Sequence, residues 1–170
     1  MYQVNETVLC GTHGVCKIKE LTVRTIGKEC VEYYILNPIG DSYMLIYIPT
    51  QNEELTSKMR RLLSVEEIDA LIKSIPDKNI EWIEDGKIRR EQYRQILLRG
   101  DCGDVAALIK TLRSQQAVIW GKQKSKQLAA EDKEILKIAE KLLCEEISYV
   151  TKMKYEQVLS FVFGHTEDKK

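Results

Sequence analysis

The chain carries no surplus of charge: 26 lysines and arginines balance 26 aspartates and glutamates over 170 residues. It has no apolar run near the ~18–20 residues of a membrane span, so no membrane association is expected. Its first residues, Met1 to Glu6, hold neither the basic nor the apolar part of a secretory signal, which predicts a cytoplasmic protein. The five cysteines (Cys10, Cys16, Cys30, Cys102, Cys144) are odd in number and scattered. That pattern fits reduced thiols used as small apolar residues better than a disulfide framework. No glycine-rich loop runs into Lys-Ser or Lys-Thr, so nothing suggests a nucleotide site. Cys10, His13 and Cys16 offer metal ligands, but no fourth partner stands near them, and structural zinc uses four. Nor does any third residue mark a Cys–His pair as catalytic. The expectation is a protein with no enzymatic reaction, no cofactor, no metal and no small-molecule substrate.

What the chain does have is 44% hydrophobic and 31% charged residues, a composition suited to one or two small globular domains with a real core. Its grammar changes once along its length. Up to about residue 50, short β-branched runs are punctuated by turn residues: Thr7–Cys10, Val15–Val23, Cys30–Leu36 and Ser42–Ile48, separated by Gly11 and Gly14, by Gly27, and by Pro38 and Gly40, with Pro49 closing the last. In the second run Val15, Lys17, Lys19, Leu21 and Val23 share one face. Tight turns without intervening helices predict a small antiparallel barrel or a strongly bent sheet.

After Pro49 the period becomes 3.6. Ser64-Val65-Glu66-Glu67 matches a capping box, followed by an apolar stripe of Ile68, Leu71, Ile72 and Ile75 that Pro76 is expected to stop. Asp85 can cap a helix ending at Gly100, with Ile88, Gln92 and Ile96 on one side. Asp101 can start the next helix, which presents Val105, Leu108, Ile109 and Leu112. A long helix from Ala130 to about Tyr149 presents Ile135, Ile138, Ala139, Leu142, Leu143 and Ile147, and a last one near Tyr155–Phe163 presents Val158, Leu159 and Val162. These features predict an α+β protein of two domains: a sheet domain over 1–53 and an all-helical domain over 58–170, with the boundary in the polar stretch after Thr50.

The balanced charge is unevenly distributed. From Gly86 to Lys126 there are 10 basic residues against 3 acidic ones, a local net of +7. Such a segregation fits either a face for a polyanion or a set of solvated helices. Lys87, Arg90 and Arg94 fall at i, i+3 and i+7 on one helical stripe, with Arg89 beside it, and are the best phosphate contacts; Lys110 and Arg113 extend the set. Lys122, Lys124 and Lys126 look like a basic loop. Trp82 has two readings from the residues alone: a core indole between Ile80 and Ile83, or an indole that stacks on bases. Trp120 reads as core, and His165 as part of a terminal tail.

Several of these stretches occur in a familiar order. Val8-Leu9-Cys10-Gly11-Thr12-His13-Gly14-Val15, Arg24-Thr25-Ile26-Gly27-Lys28-Glu29, Glu32-Tyr33-Tyr34-Ile35-Leu36 and Ile46-Tyr47-Ile48-Pro49 together resemble the RNA-polymerase-interacting domain of the CarD/CdnL family, a module shared with the transcription-repair coupling factor. Trp82, Arg89-Arg90-Glu91-Gln92-Tyr93, Leu98-Arg99-Gly100-Asp101, Val105 to Leu112 and Ala130 to Leu136 resemble that family's helical C-terminal domain. The resemblance implies a Tudor-like barrel that docks on the lobe of the RNA polymerase β subunit through Arg24, Ile26, Ile46, Tyr47 and Ile48. It also implies a helical domain that meets promoter duplex at the fork junction, with little sequence preference. There Trp82 would wedge into the minor groove and stabilise the open complex. Tyr47 stands where relatives often carry a basic residue. Ile83-Glu84-Asp85-Gly86 separates the tryptophan from the basic stripe, a departure that puts two carboxylates near the phosphates unless they cap the helix. The competing reading is an adaptor that binds polymerase without touching DNA.

Overall fold

A computed structural model describes residues 1–75, 77–122 and 127–164. Expectations for Pro76, Lys124, Lys126 and His165 fall outside the described residues. The chain forms two compact units, Met1–Leu62 and Leu63–Lys170, each with its own apolar core.

The first unit is an antiparallel sheet of five strands: β1 (Thr7–Cys10), β2 (Val15–Ile26), β3 (Glu29–Pro38), β4 (Ile46–Pro49) and β5 (Met59–Arg61). Their order is β4-β3-β2-β1-β5. The sheet does not close into a barrel: among the described residues β4 pairs only with β3, and β5 only with β1. A short helix α1 (Glu53–Thr56), capped by the Asn52 side chain, leads from β4 to β5. The sheet therefore continues past the polar stretch, and β5 supplies Met59 to its core.

Two sequence expectations for this unit are corrected. The alternation in β2 does not hold throughout, because a bulge between Ile18 and Glu20 leaves Lys19 unpaired. The extra residue switches the faces, so Cys16, Ile18 and Leu21 all pack on one core. The last long strand is also shorter than expected. Asp41 accepts hydrogen bonds from the Tyr43 and Met44 amides, and Asn37 donates to the Asp41 and Met44 carbonyls, so this segment turns instead of extending. Pro49 belongs to β4, where an edge strand tolerates its missing N–H. Gly27 takes φ 65° in the β2–β3 turn, a conformation that favours glycine.

The second unit is helical: α2 (Val65–Ser74), α3 (Gly86–Arg99), α4 (Cys102–Lys122), α5 (Ala130–Thr151) and α6 (Tyr155–Gly164). Ser64 and Glu67 form the full reciprocal capping box of α2. Asp85 accepts from the Lys87 and Ile88 amides at 2.9 and 3.0 Å, and Gly100 ends α3 in the left-handed region at φ 64°. Asp101 accepts from the Asp104 amide at the start of α4. Ile68, Val105, Leu108, Ile109, Leu112, Ile135, Leu143, Ile147, Val158 and Val162 are among the buried residues joining the five helices, and each such side chain is worth ~1.5–3 kcal/mol against exposure.

The phase of α3 differs from the sequence reading. Its buried face is Arg89, Tyr93, Ile96 and Leu97, whereas Ile88 is 51% exposed. A buried arginine and tyrosine hold positions that hydrophobicity assigns to solvent. Trp120, expected in the core, is 53% exposed, because the buried part of α4 ends at Leu112 and the helix runs on beyond it. Cys10, Cys16, Cys102 and Cys144 are buried as expected, and Cys30 is exposed. Burial raises the Cys144 thiol to about 11, so it stays protonated at neutral pH.

Candidate functional site

Trp82 sits in an irregular segment, 79–84, between α2 and α3. Without a ladder or helix, its backbone carbonyls need partners from elsewhere. The helices supply them at Ile80, Glu81, Ile83 and Glu84, and add a side-chain tie at Asn79. Lys110 Nζ donates to Asn79 Oδ1 (2.9 Å), Thr111 Oγ1 to the Ile80 carbonyl (2.8 Å), and Tyr93 Oη to the Glu81 carbonyl (2.9 Å). Arg89 Nη1 donates to the carbonyls of Ile83 (2.6 Å) and Glu84 (3.3 Å). The indole is half-buried against the helical core, and the Arg89 guanidinium lies 3.9 Å from its ring centroid. Trp82 is thus neither sealed in the interior nor loose on the surface.

Arg89 is itself held. It is 6% exposed, and Asp132, 1% exposed in the first turn of α5, accepts Nε at 3.2 Å and Nη2 at 2.7 Å. Hydrogen bonding to Asp132 holds the guanidinium pKa above its already high ordinary value, so Arg89 is always charged. Breaking a buried pair of this kind costs ~3–5 kcal/mol, since one charge is left without a partner. Burial raises the Tyr93 hydroxyl pKa, keeping it a neutral donor to Glu81.

The other cations divide into two groups. Lys87 and Arg94 are exposed and Arg90 is half-buried; all three share one stripe of α3 beside its buried face, and none makes a salt bridge among the described residues. Arg113 is instead committed to Glu140, through Nε at 2.9 Å and Nη2 at 2.7 Å, and its guanidinium sits 5.3 Å from the Phe163 ring centroid. Lys110 is engaged with Asn79. Of the seven residues expected at DNA, Lys87 and Arg94 are exposed and Trp82 and Arg90 are half-buried. The structure gives Arg89, Lys110 and Arg113 internal partners, and Arg89 lies buried between Asp132 and the indole. Asp85 points into its own helix terminus, which hydrogen-bonds its carboxylate and lowers its pKa.

In the sheet unit, strand register sorts the five expected polymerase contacts. Tyr34 opposes Ile48 and Leu36 opposes Ile46, on the face that holds the core; Ile48 is 5% exposed and Ile46 packs beside it. Both side chains are therefore on the core face, Ile48 buried and Ile46 half-buried. Arg24 and Tyr47 lie on the opposite face, where the Arg24 guanidinium stacks 4.5 Å from the Tyr47 ring centroid. Ile26 is 59% exposed near the end of the β2–β3 hairpin. The backbone of β4 forms one edge of the sheet.

Residues 2–63 match the family model described as the CarD-like/TRCF RID domain, and residues 70–162 match the CarD C-terminal domain. The chain belongs to the CarD/CdnL family. The RID module is an RNA polymerase β-subunit-interacting domain, and this CarD protein is an RNA-polymerase-interacting transcription regulator of a non-enzymatic family. No helix among the described residues is long and apolar enough to cross a membrane. What sequence reasoning missed is Asp132. The signal was present: Asp132 occurs at helical spacing with Ile135, Ala139 and Leu142, an acid on an apolar stripe that demands a buried cation.

Proposed function

We propose that the protein holds the RNA polymerase β lobe with its sheet unit and promoter duplex with its helical unit, and stabilises the open complex in the cytoplasm. The observation that carries this reading is the mounting of Trp82: an aromatic ring kept partly exposed while its backbone is tied at Ile80, Glu81, Ile83 and Glu84. The ties that satisfy the segment's carbonyls also keep it rigid, as a wedge must be before it meets the duplex. Unstacking a base step costs a few kcal/mol and stacking an aromatic returns ~1–3, so the wedge acts where the duplex is already opening. Lys87, Arg90 and Arg94 bind phosphates and carry no sequence information. Better binding to the open state than to the closed one shifts the equilibrium toward the bubble by that affinity difference.

Toward polymerase, Arg24, Ile26 and Tyr47 present a mixed cationic and apolar surface, while the free edge of β4 can accept a strand from the partner. The contributions of Ile46 and Ile48 come through their backbone, since their side chains face the core.

The test is a titration of the full chain into polymerase holoenzyme and, separately, into a fork-junction duplex. This account expects binding to both, and tighter binding to the fork than to fully paired DNA of the same length. An adaptor binds polymerase and shows no affinity for the fork.

A further inference from the structure

Asp132 stands 43 residues from Arg89 in the chain, yet it determines the plane of that guanidinium. Its two oxygens take Nε and one hydrogen of Nη2, and the fork so held directs Nη1 to the Ile83 and Glu84 carbonyls. The same plane lies 3.9 Å from the Trp82 ring centroid. One carboxylate therefore orients a rigid fork that at once backs the indole and ties the two residues following it. Asp132 is 1% exposed, and Arg89 is the side chain that neutralises it.

We propose that Asp132 is a positioning residue for the Trp82 wedge, acting through Arg89 to fix the indole before DNA is bound. The inference rests on the wedge reading above. Without the carboxylate, the guanidinium can rotate about its long side chain, and the ring loses its backing and its pinned neighbours. DNA binding must then supply the order that the apo protein no longer has.

The test uses the full chain with Trp120→Phe, which leaves Trp82 as the sole tryptophan. Asp132→Asn, nearly equal in size, removes the charge. It is expected to raise acrylamide quenching of Trp82 at least twofold in the free protein, and to shorten open-complex lifetime on polymerase holoenzyme toward the Trp82→Ala value. Combined with Trp82→Ala, it should shorten the lifetime no further. A clamp serving only fold stability gives the opposite result: the two effects multiply. That outcome, or unchanged quenching in a folded variant, or altered quenching with a wild-type lifetime while Trp82→Ala does shorten it, overturns the proposal. If helical circular dichroism shows that Asp132→Asn does not fold, Arg89→Lys decides, because it keeps a cation and loses the fork; unchanged quenching there also overturns it. If Trp82→Ala itself leaves the lifetime unaltered, the wedge reading has failed, and quenching alone decides the positioning role.

Discussion

The division of cations into outward and internally paired groups makes a quantitative statement about salt. Six basic residues are the expected phosphate contacts: Lys87, Arg89, Arg90, Arg94, Lys110 and Arg113. Arg89 is buried on Asp132, Arg113 is paired with Glu140, and Lys110 is tied to Asn79. Three remain for phosphates. Each phosphate neutralised on duplex DNA contributes about −0.9 to the slope of log K against log salt, so three predict about −2.7 and six about −5.4. Between 50 and 200 mM salt, affinity should fall about 40-fold in the first case and nearly 2,000-fold (order of magnitude) in the second. Fluorescence anisotropy of a labelled fork-junction duplex, titrated at four salt concentrations, measures the slope. Arg94→Ala should reduce its magnitude by about 0.9, and Arg113→Ala should leave it unchanged. A wild-type slope near −5, or equal effects of the two substitutions, refutes the assignment of internal partners; a slope of zero refutes DNA binding by this stripe.

Arg24→Glu should weaken polymerase β-lobe binding by on the order of tenfold in a pull-down, since it reverses a charge and removes the stack on Tyr47, while fork affinity stays as it was. Gly100→Ala forces a Cβ into the left-handed cap of α3 and should cost ~1–2 kcal/mol, seen as a lower thermal midpoint of the helical unit. Asp85 has a folded-state pKa below the ordinary 3.8, because the Ile88 and Lys87 amides favour the charged form. Its contribution is therefore fully present above that ordinary value and is lost as pH falls through the lower folded-state value. The gap between the denaturant midpoints of wild type and Asp85→Ala should be widest at pH 7 and narrow as pH falls below 3.8; a gap that stays constant throughout that descent argues against the charge as its source.

Local signals in the sequence translated directly into structure. The capping box at Ser64, the cap at Asp85 and the stop at Gly100 each depend on one or two neighbouring amides, so spacing alone reveals them. The apolar stripe of α4 through Leu112 was equally legible, because its partners are all hydrophobic. Features that depend on distant residues were not. β5 is a strand because β1 offers it an edge 50 residues earlier, and nothing in Met59-Arg60-Arg61 reads as β. The phase of α3 was obscured because Arg89 is buried only by virtue of Asp132, far along the chain. The fate of Ile46 and Ile48 turned on which face of β4 meets the core, and four residues of alternating burial are too few to decide that without the register to β3. At the candidate site the tryptophan and the basic stripe were visible, whereas the scaffold of Tyr93, Thr111, Arg89 and Asp132 that holds the tryptophan was not.

The most direct measurement is the lifetime of the polymerase–promoter open complex with Trp82→Ala against wild type, with polymerase binding monitored in parallel. Losing one aromatic stack of ~1–3 kcal/mol should shorten the lifetime about 5- to 140-fold while leaving polymerase affinity intact. An unchanged lifetime at full polymerase occupancy would contradict the account.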